Sequence, residues 1–71
     1  MIILDQDSCA IYDTDKFGQL CVQENKLYLI TYTGEVAYPI GQYKTKERCS
    51  EIVREIFALM DCTNKYDMPI V

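Results

Sequence analysis

The chain up to Tyr43 alternates short apolar runs with polar turns. Runs rich in β-branched and aromatic residues predict strands over residues 2–4, 9–12, 19–23, 27–32 and 36–43. The separators Glu24-Asn25 and Thr33-Gly34 are short enough to close hairpins. The pattern therefore predicts a short antiparallel β-meander of three to five strands.

The two hairpin turns also predict a register, because a slip of one residue would turn every side chain to the other face. The implied cross-strand pairs are Val22 with Leu27, Leu20 with Leu29, Leu29 with Tyr38, and Leu27 with Ile40. One face of the sheet is then apolar and carries Leu20, Val22, Leu27, Leu29, Val36, Tyr38 and Ile40. Pro39 lacks an N–H and should lie at an open edge or a bulge, which Gly41 would mark.

After Tyr43 the apolar period changes to that of a helix. Thr45 is a suitable N-cap, and Glu47 falls in the first turn, where an acidic residue is favourable. The predicted buried stripe is Cys49, Ile52, Val53, Ile56 and Met60, with Phe57 and Leu59 on its flanks. The pattern stops at residues 61–64, where Asn64 suits a left-handed helix end. The sequence thus predicts an α+β fold, with the meander packed against one C-terminal amphipathic helix in a single domain, residues 1–71.

Two apolar regions remain without a predicted cover. The second face of the sheet carries Cys21, Tyr28, Ile30, Tyr32 and Ala37, and residues 66–71 are more apolar than a frayed terminus. Exposed apolar patches on small proteins mark interfaces. We therefore predict a homo-oligomer, a dimer or higher, in which the tail adds a strand to a partner or folds back on its own sheet. The candidate interface residues are Tyr28, Ile30, Tyr32, Tyr66, Met68 and Pro69.

Length and charge narrow the class of protein. A core of 71 residues supplies only about 3–5 kcal/mol, so oligomerisation would help. Seven basic and eleven acidic residues give a net charge of −4, and the cations are scattered, which argues against nucleic-acid binding. No apolar run approaches the ~20 residues of a membrane span, and the apolar start is too short for a signal peptide. The expected location is the cytoplasm.

Cysteine usage and the missing histidine bear on chemistry. Cys9, Cys21, Cys49 and Cys62 form no C-x-x-C pair, so free thiols in or near the core are favoured over a four-cysteine zinc site or two disulfides. Without His, the usual general base at neutral pH is missing. Cys49 lies near a helix start, where a thiol can be activated, but on the predicted buried face.

The remaining polar motifs are weak. Asp5, Asp7, Asp13 and Asp15 lack the pattern of a calcium loop, and the three glycines stand apart, so no phosphate-binding loop is predicted. The sequence therefore predicts a protein that is not an enzyme and that uses no metal or cofactor.

Part of the chain resembles a known family. Its G-x-Y strand end (Gly41-Gln42-Tyr43), its T-x-E-R helix start (residues 45–48), Glu55-Ile56 and the Y-x-M-P tail (residues 66–69) resemble small uncharacterised proteins of Gram-positive bacteria and their phages and prophages. This chain has Cys49 where that family has Ala, and Ile70-Val71 replaces a more acidic end. The resemblance implies a phage-linked origin and a cytosolic setting, and it transfers no functional residues.

Two functions within the binding class follow, and an enzyme is a distant third alternative. One is an inhibitor or adaptor that docks on a host or phage protein, for example against a host defence system. The other is an oligomer that traps a small nucleotide-like signal between subunits. A flat Tyr/Ile face would favour docking, and a polar cleft between subunits would favour the trap.

Overall fold

A computed structural model describes all 71 residues. In chain order the elements are β1 (Ile2–Leu4), β2 (Ile11–Asp13), a 3-10 helix (Thr14–Lys16), β3 (Gln19–Gln23), β4 (Lys26–Ile30), β5 (Ala37–Gln42), α1 (Lys46–Leu59) and β6 (Lys65–Asp67). They form one helix and two three-stranded sheets, ordered β2-β1-β6 and β3-β4-β5. The predicted α+β class, with a meander against a C-terminal helix, is confirmed.

The second sheet, β3-β4-β5, is the predicted meander. Leu29 pairs with both Leu20 and Tyr38, and Val22 pairs with Leu27, as the turns predicted. The predicted pair of Leu27 with Ile40 is wrong. Leu27 lies opposite Gly41 because a bulge interrupts the ladder, directly after Tyr28 pairs with Pro39. Proline cannot donate to the ladder, and this explains why the extra residue is accommodated here.

The predicted apolar face is only partly covered. Leu27, Leu29 and Ile40 are buried in the core, and Leu20 and Val22 are half-buried against it. Val36 and Tyr38, by contrast, are 44% and 40% exposed. Val36 lies in the turn before β5, and the ring of Tyr38 packs edge-on against Phe17, with centroids 5.7 Å apart, at the rim of the core.

The helix begins where predicted. The hydroxyl of Thr45 accepts a hydrogen bond from the N–H of Arg48 (3.1 Å), which satisfies one of the free N–H groups of the first turn. Cys49, Ile52 and Ile56 are buried, and this confirms the centre of the stripe. Met60, however, follows the last helical residue and is 56% exposed.

The helix end differs from the prediction. The residues with positive φ are Ser8, Glu24 and Gly34, so Asn64 does not adopt the left-handed conformation. Its carbonyl instead accepts a hydrogen bond from the N–H of Ile2 (2.7 Å). The chain thereby turns directly from the helix into β6.

The first sheet, β2-β1-β6, was not predicted as such. β1 pairs antiparallel with β2, whose span is Ile11–Asp13 and not residues 9–12, and parallel with β6. Tyr66 in β6 lies opposite Ile3, and both are buried. The tail therefore folds back on its own chain, which was one of the two predicted arrangements.

Candidate functional site

The thiols are dispersed and unpaired. Cys49 is buried and Cys21 half-buried, but Cys9 and Cys62 are exposed, so the prediction that all four lie in or near the core is wrong for those two. They stand in turns outside the strands and the helix. Burial raises the pKa of the Cys49 thiol, which keeps it protonated and unreactive at neutral pH. The structure brings no group of three or more Cys, Asp or Glu side chains together as metal ligands.

The acidic turns are structural. A carboxylate oxygen of Asp5 accepts hydrogen bonds from the N–H groups of Cys9 (2.9 Å) and Ala10 (3.4 Å). Asp13 accepts one from the N–H of Asp15 (3.0 Å) and caps the 3-10 helix. These carboxylates hold the connections around β2 and are already occupied by main-chain donors.

The tail is held by side chains from three separate parts of the chain. The amide of Gln6 donates to Ile70 O (2.7 Å), the hydroxyl of Tyr43 to Pro69 O (2.7 Å), and the guanidinium of Arg48 to Val71 O (3.1 and 3.3 Å). We call Gln6, Tyr43 and Arg48 the tail clasp. Burial raises the pKa of Tyr43 to about 12, so its hydroxyl stays a donor at any physiological pH.

Three of the predicted interface residues belong to this tail. Tyr66 and Met68 lie in the core, and Pro69 is half-buried. The hydroxyl of Tyr66 donates to Glu55 (3.0 Å), and burial, together with that carboxylate, raises its pKa. The fold places neither Tyr66 nor Met68 on a surface where a partner would reach it.

The residues that carry the family resemblance meet in the same place. A side chain on Gly41 would overlap the ring of Tyr43 (2.8 Å) and approach Met68 (3.2 Å), so only glycine fits between them. Thr45 caps the helix that presents Arg48 and Glu55 to the tail. The motif set therefore secures the tail to the sheet and the helix.

The second face of the β3-β4-β5 sheet carries fewer residues than predicted. Tyr28 and Ile30 are half-buried and lie beside Cys21 and Ala37 on neighbouring strands. Tyr32 is not with them. The sheet ends at Ile30, and the following turn carries the Tyr32 ring over Gly18, where its hydroxyl donates to Asp15 O (2.9 Å).

An apolar groove lies beside Tyr32, which lines it. It encloses about 240 Å³ between the C-terminal end of α1 and the start of β3. Its apolar walls are Met1, Phe17, Leu20, Leu29, Tyr32, Ile56 and Met60. Tyr32 is 73% exposed at its rim, and Met60 forms part of the opposite wall. From the sequence, Phe17 was not singled out, and Met60 was placed in the buried stripe of the helix; Phe17 is half-buried against the core, whereas Met60 is exposed. The length of that stripe, which reaches the end of the helix, was the signal that could have indicated Met60.

A second, polar cleft of about 530 Å³ lies on another side of the molecule. Asp5, Asp7, Lys26 and Gln42 contribute polar groups, and Ile70 contributes the tail. Two carboxylates against one ammonium group give the cleft no excess of positive charge, and a phosphate would need such an excess.

The candidate site is therefore the apolar groove. Comparison of the chain with protein-family models, with curated proteins and with solved structures gives no match. Neither α1 nor the 3-10 helix has the length and the apolar character that crossing a membrane requires.

Proposed function

We propose that this chain is a non-enzymatic binding protein that docks on a partner protein through the apolar groove. The observation that carries the proposal is the groove itself, with the largely exposed Tyr32 and Met60 at its walls. Tyrosine and methionine favour protein contacts, because one combines a rigid ring with a hydroxyl and the other adapts to irregular surfaces. An apolar side chain of the partner would enter between the two.

The resemblance to small phage and prophage proteins supports a setting in the bacterial cytoplasm. Small proteins in that setting commonly bind and block other proteins, host defence components among them. An inhibitor or adaptor of this kind needs a surface and no reacting groups, which agrees with the absence of His from the sequence. We therefore propose docking on a host or phage protein as the function.

The alternative is an oligomer that traps a nucleotide-like signal. The polar cleft is the feature that favours it, since such a ligand needs hydrogen-bond partners. Its balance of charge favours a neutral ligand over a phosphorylated one. The docking proposal accounts for the exposed apolar groups of the groove, and the trap leaves them unexplained.

The test uses variants at the groove wall. Immobilised wild-type chain is used to capture partners from a bacterial host lysate, with native mass spectrometry to identify bound protein and small molecules together. Met60→Glu should abolish capture because it places a charge in the apolar wall. Ile11→Glu is the matched control, since Ile11 is 71% exposed and does not line the groove.

The proposal is supported if wild type and Ile11→Glu capture the same partner protein and Met60→Glu does not. The circular dichroism of all three must be the same. Equal capture by all three, or no bound protein, contradicts docking through the groove. The trap is favoured instead if a small molecule still binds to Met60→Glu but no longer binds to Gln42→Ala, which alters the polar cleft.

A further inference from the structure

The two outer edges of the β3-β4-β5 sheet differ. At the β5 edge, the N–H of Gln6 donates to Ile40 O (2.9 Å), and its side chain accepts from the N–H of Gln42 (2.7 Å). Pro39 removes a further donor there. β3, at the opposite edge, has no strand beside it and contains no charge, no proline and no bulge. Proteins usually protect such an edge, because its free N–H and C=O groups can pair with another strand.

The register identifies the free main-chain groups. The N–H of Thr31 donates to Val36 O (3.0 Å), so the odd-numbered residues of β4 bond to β5 and its even-numbered residues bond to β3. Each even-numbered residue of β4 lies opposite an odd-numbered residue of β3. The main-chain groups of Leu20 and Val22 therefore point away from the sheet.

The sequence of β3 is nearly the same in both directions. It reads Gln-Leu-Cys-Val-Gln, centred on Cys21. A twofold-symmetric interface needs a surface that is complementary to itself, and an antiparallel copy of this strand meets that need without any charge opposing a like charge. We propose that β3 pairs with β3 of a second copy about a twofold axis through Cys21, so that the chain is a homodimer with one continuous sheet.

In this dimer, Leu20 forms main-chain hydrogen bonds with Val22 of the second copy, and Val22 with its Leu20. Cys21 faces its own counterpart in a non-hydrogen-bonded pair. Such a pair brings the two Cα atoms to about 4.5 Å. The side chains of Leu20 and Val22 lie on the core face, next to the helix.

The flank of the helix beside β3 also has unpartnered apolar surface. A hollow of about 300 Å³ lies between β3 and α1, where Ser50, Val53 and Arg54 form its helical wall. One turn further, Phe57 is 78% exposed. A twofold axis perpendicular to the sheet keeps both helices on the same face, and each then covers the hollow and the exposed Phe57 of the other. This is the second feature that a copy of the chain explains.

The first test compares two lysine substitutions by sedimentation velocity at about 100 μM, well above a micromolar dissociation constant. Wild type should be a dimer. Cys21→Lys places two ammonium groups directly opposite each other and should weaken dimerisation at least tenfold. Ala37→Lys adds the same charge to the same sheet face on the far strand β5, and should leave the dimer unchanged. A monomeric wild type, or equal effects of the two substitutions, overturns the proposal.

The second test examines the register and needs no charge change. In a Cys9→Ser/Cys62→Ser variant, Cys49 is buried and Cys21 is the accessible thiol. The expected Cα separation lies within the roughly 4.4–6.8 Å range of disulfides. Diamide, which takes up the two electrons and two protons of the thiol pair, should give a covalent dimer on a non-reducing gel. The dimer should disappear when Cys21→Ser is added. No covalent dimer, or one that persists without Cys21, contradicts this pairing.

The dimer proposal does not rest on the groove. Met60→Glu should abolish capture of a partner protein while sedimentation still reports a dimer, and Cys21→Lys should have the opposite pattern. Loss of dimerisation in Met60→Glu with native circular dichroism would contradict pairing through β3. Failure of either proposal is therefore visible separately.

Discussion

Ile52 and Ile56 offer a direct test of the groove, because they lie one turn apart on the same face of α1 in different surroundings. Ile52 is 0% exposed and enclosed by the core. Ile56 is 4% exposed, but its side chain also forms part of the groove wall. Replacement by Ala removes the same three carbon atoms at either position. Any difference in stability between the two variants therefore reports how each site is enclosed.

The lost transfer free energy is about 2.4 kcal/mol at both positions, at about 0.8 kcal/mol for each carbon. At Ile52 the empty volume is closed on all sides, and the cavity raises the cost to about 3–5 kcal/mol. At Ile56 the new volume opens into the groove, where water or neighbouring side chains fill it, so we expect about 2–3 kcal/mol. Ile52→Ala should thus be the more damaging by about 1 kcal/mol.

Urea unfolding followed by circular dichroism measures the difference, with equal m-values as the condition for comparing free energies. The whole core supplies only about 3–5 kcal/mol, so the Ala variants leave little stability to measure. Ile→Val at the two positions should give the same order of stabilities with smaller losses of unfolding free energy. Glu51→Ala, on the exposed side of the helix, is the control and should cost less than about 0.5 kcal/mol. If Ile56→Ala costs as much as Ile52→Ala, the groove is not open as described.

Three further outcomes follow from the tail clasp and the turns. Tyr43→Phe should lower the free energy of unfolding in urea melts by about 1 kcal/mol, because Pro69 O loses its donor. The control is Tyr28→Phe, which removes a hydroxyl that makes no hydrogen bond and should lie within about 0.5 kcal/mol of wild type. The folded state raises the pKa of Tyr43 from 10.0 to about 12, so the stability that this hydroxyl contributes is complete below pH 10 and is lost as the pH rises to about 12. In urea melts across this range, the free energy of unfolding should therefore decline less for Tyr43→Phe than for wild type. Glu24→Gly should stabilise the folded state by about 1 kcal/mol, because Glu24 has φ 56° in a two-residue turn and glycine adopts this conformation without strain. A variant less stable than wild type would show that the Glu24 side chain is needed.

Local signals explain what could be predicted from the sequence. The Thr45 cap and the spacing of Cys49, Ile52 and Ile56 act within one helix, and the structure matches them. The register around Leu29 followed from the lengths of two turns. Each of these signals involves residues close together in sequence, where backbone geometry leaves few alternatives.

Features that depend on distant contacts could not be predicted. β6 has only three residues, too few for a recognisable period, and becomes a strand only because β1 lies beside it. The groove depends on where the Tyr32 ring turns after β4 ends. That position is set by the packing of Tyr32 on Gly18 and by its hydrogen bond to Asp15 O, and not by local preference.

The tail clasp also determines when this chain can fold during synthesis. Gln6 and Ile70, which it joins, are 64 positions apart, and the core residues Tyr66 and Met68 lie close to Ile70 in the sequence. β1 therefore waits, with one edge unpaired and Ile3 uncovered, until residues 65–70 have emerged from the ribosome. The strands of the β3-β4-β5 meander are joined by short turns, and α1 packs on β3 and β4, so all of these elements can form earlier. A nascent chain stalled before Tyr66 would expose that unfinished first sheet to chaperones and proteases.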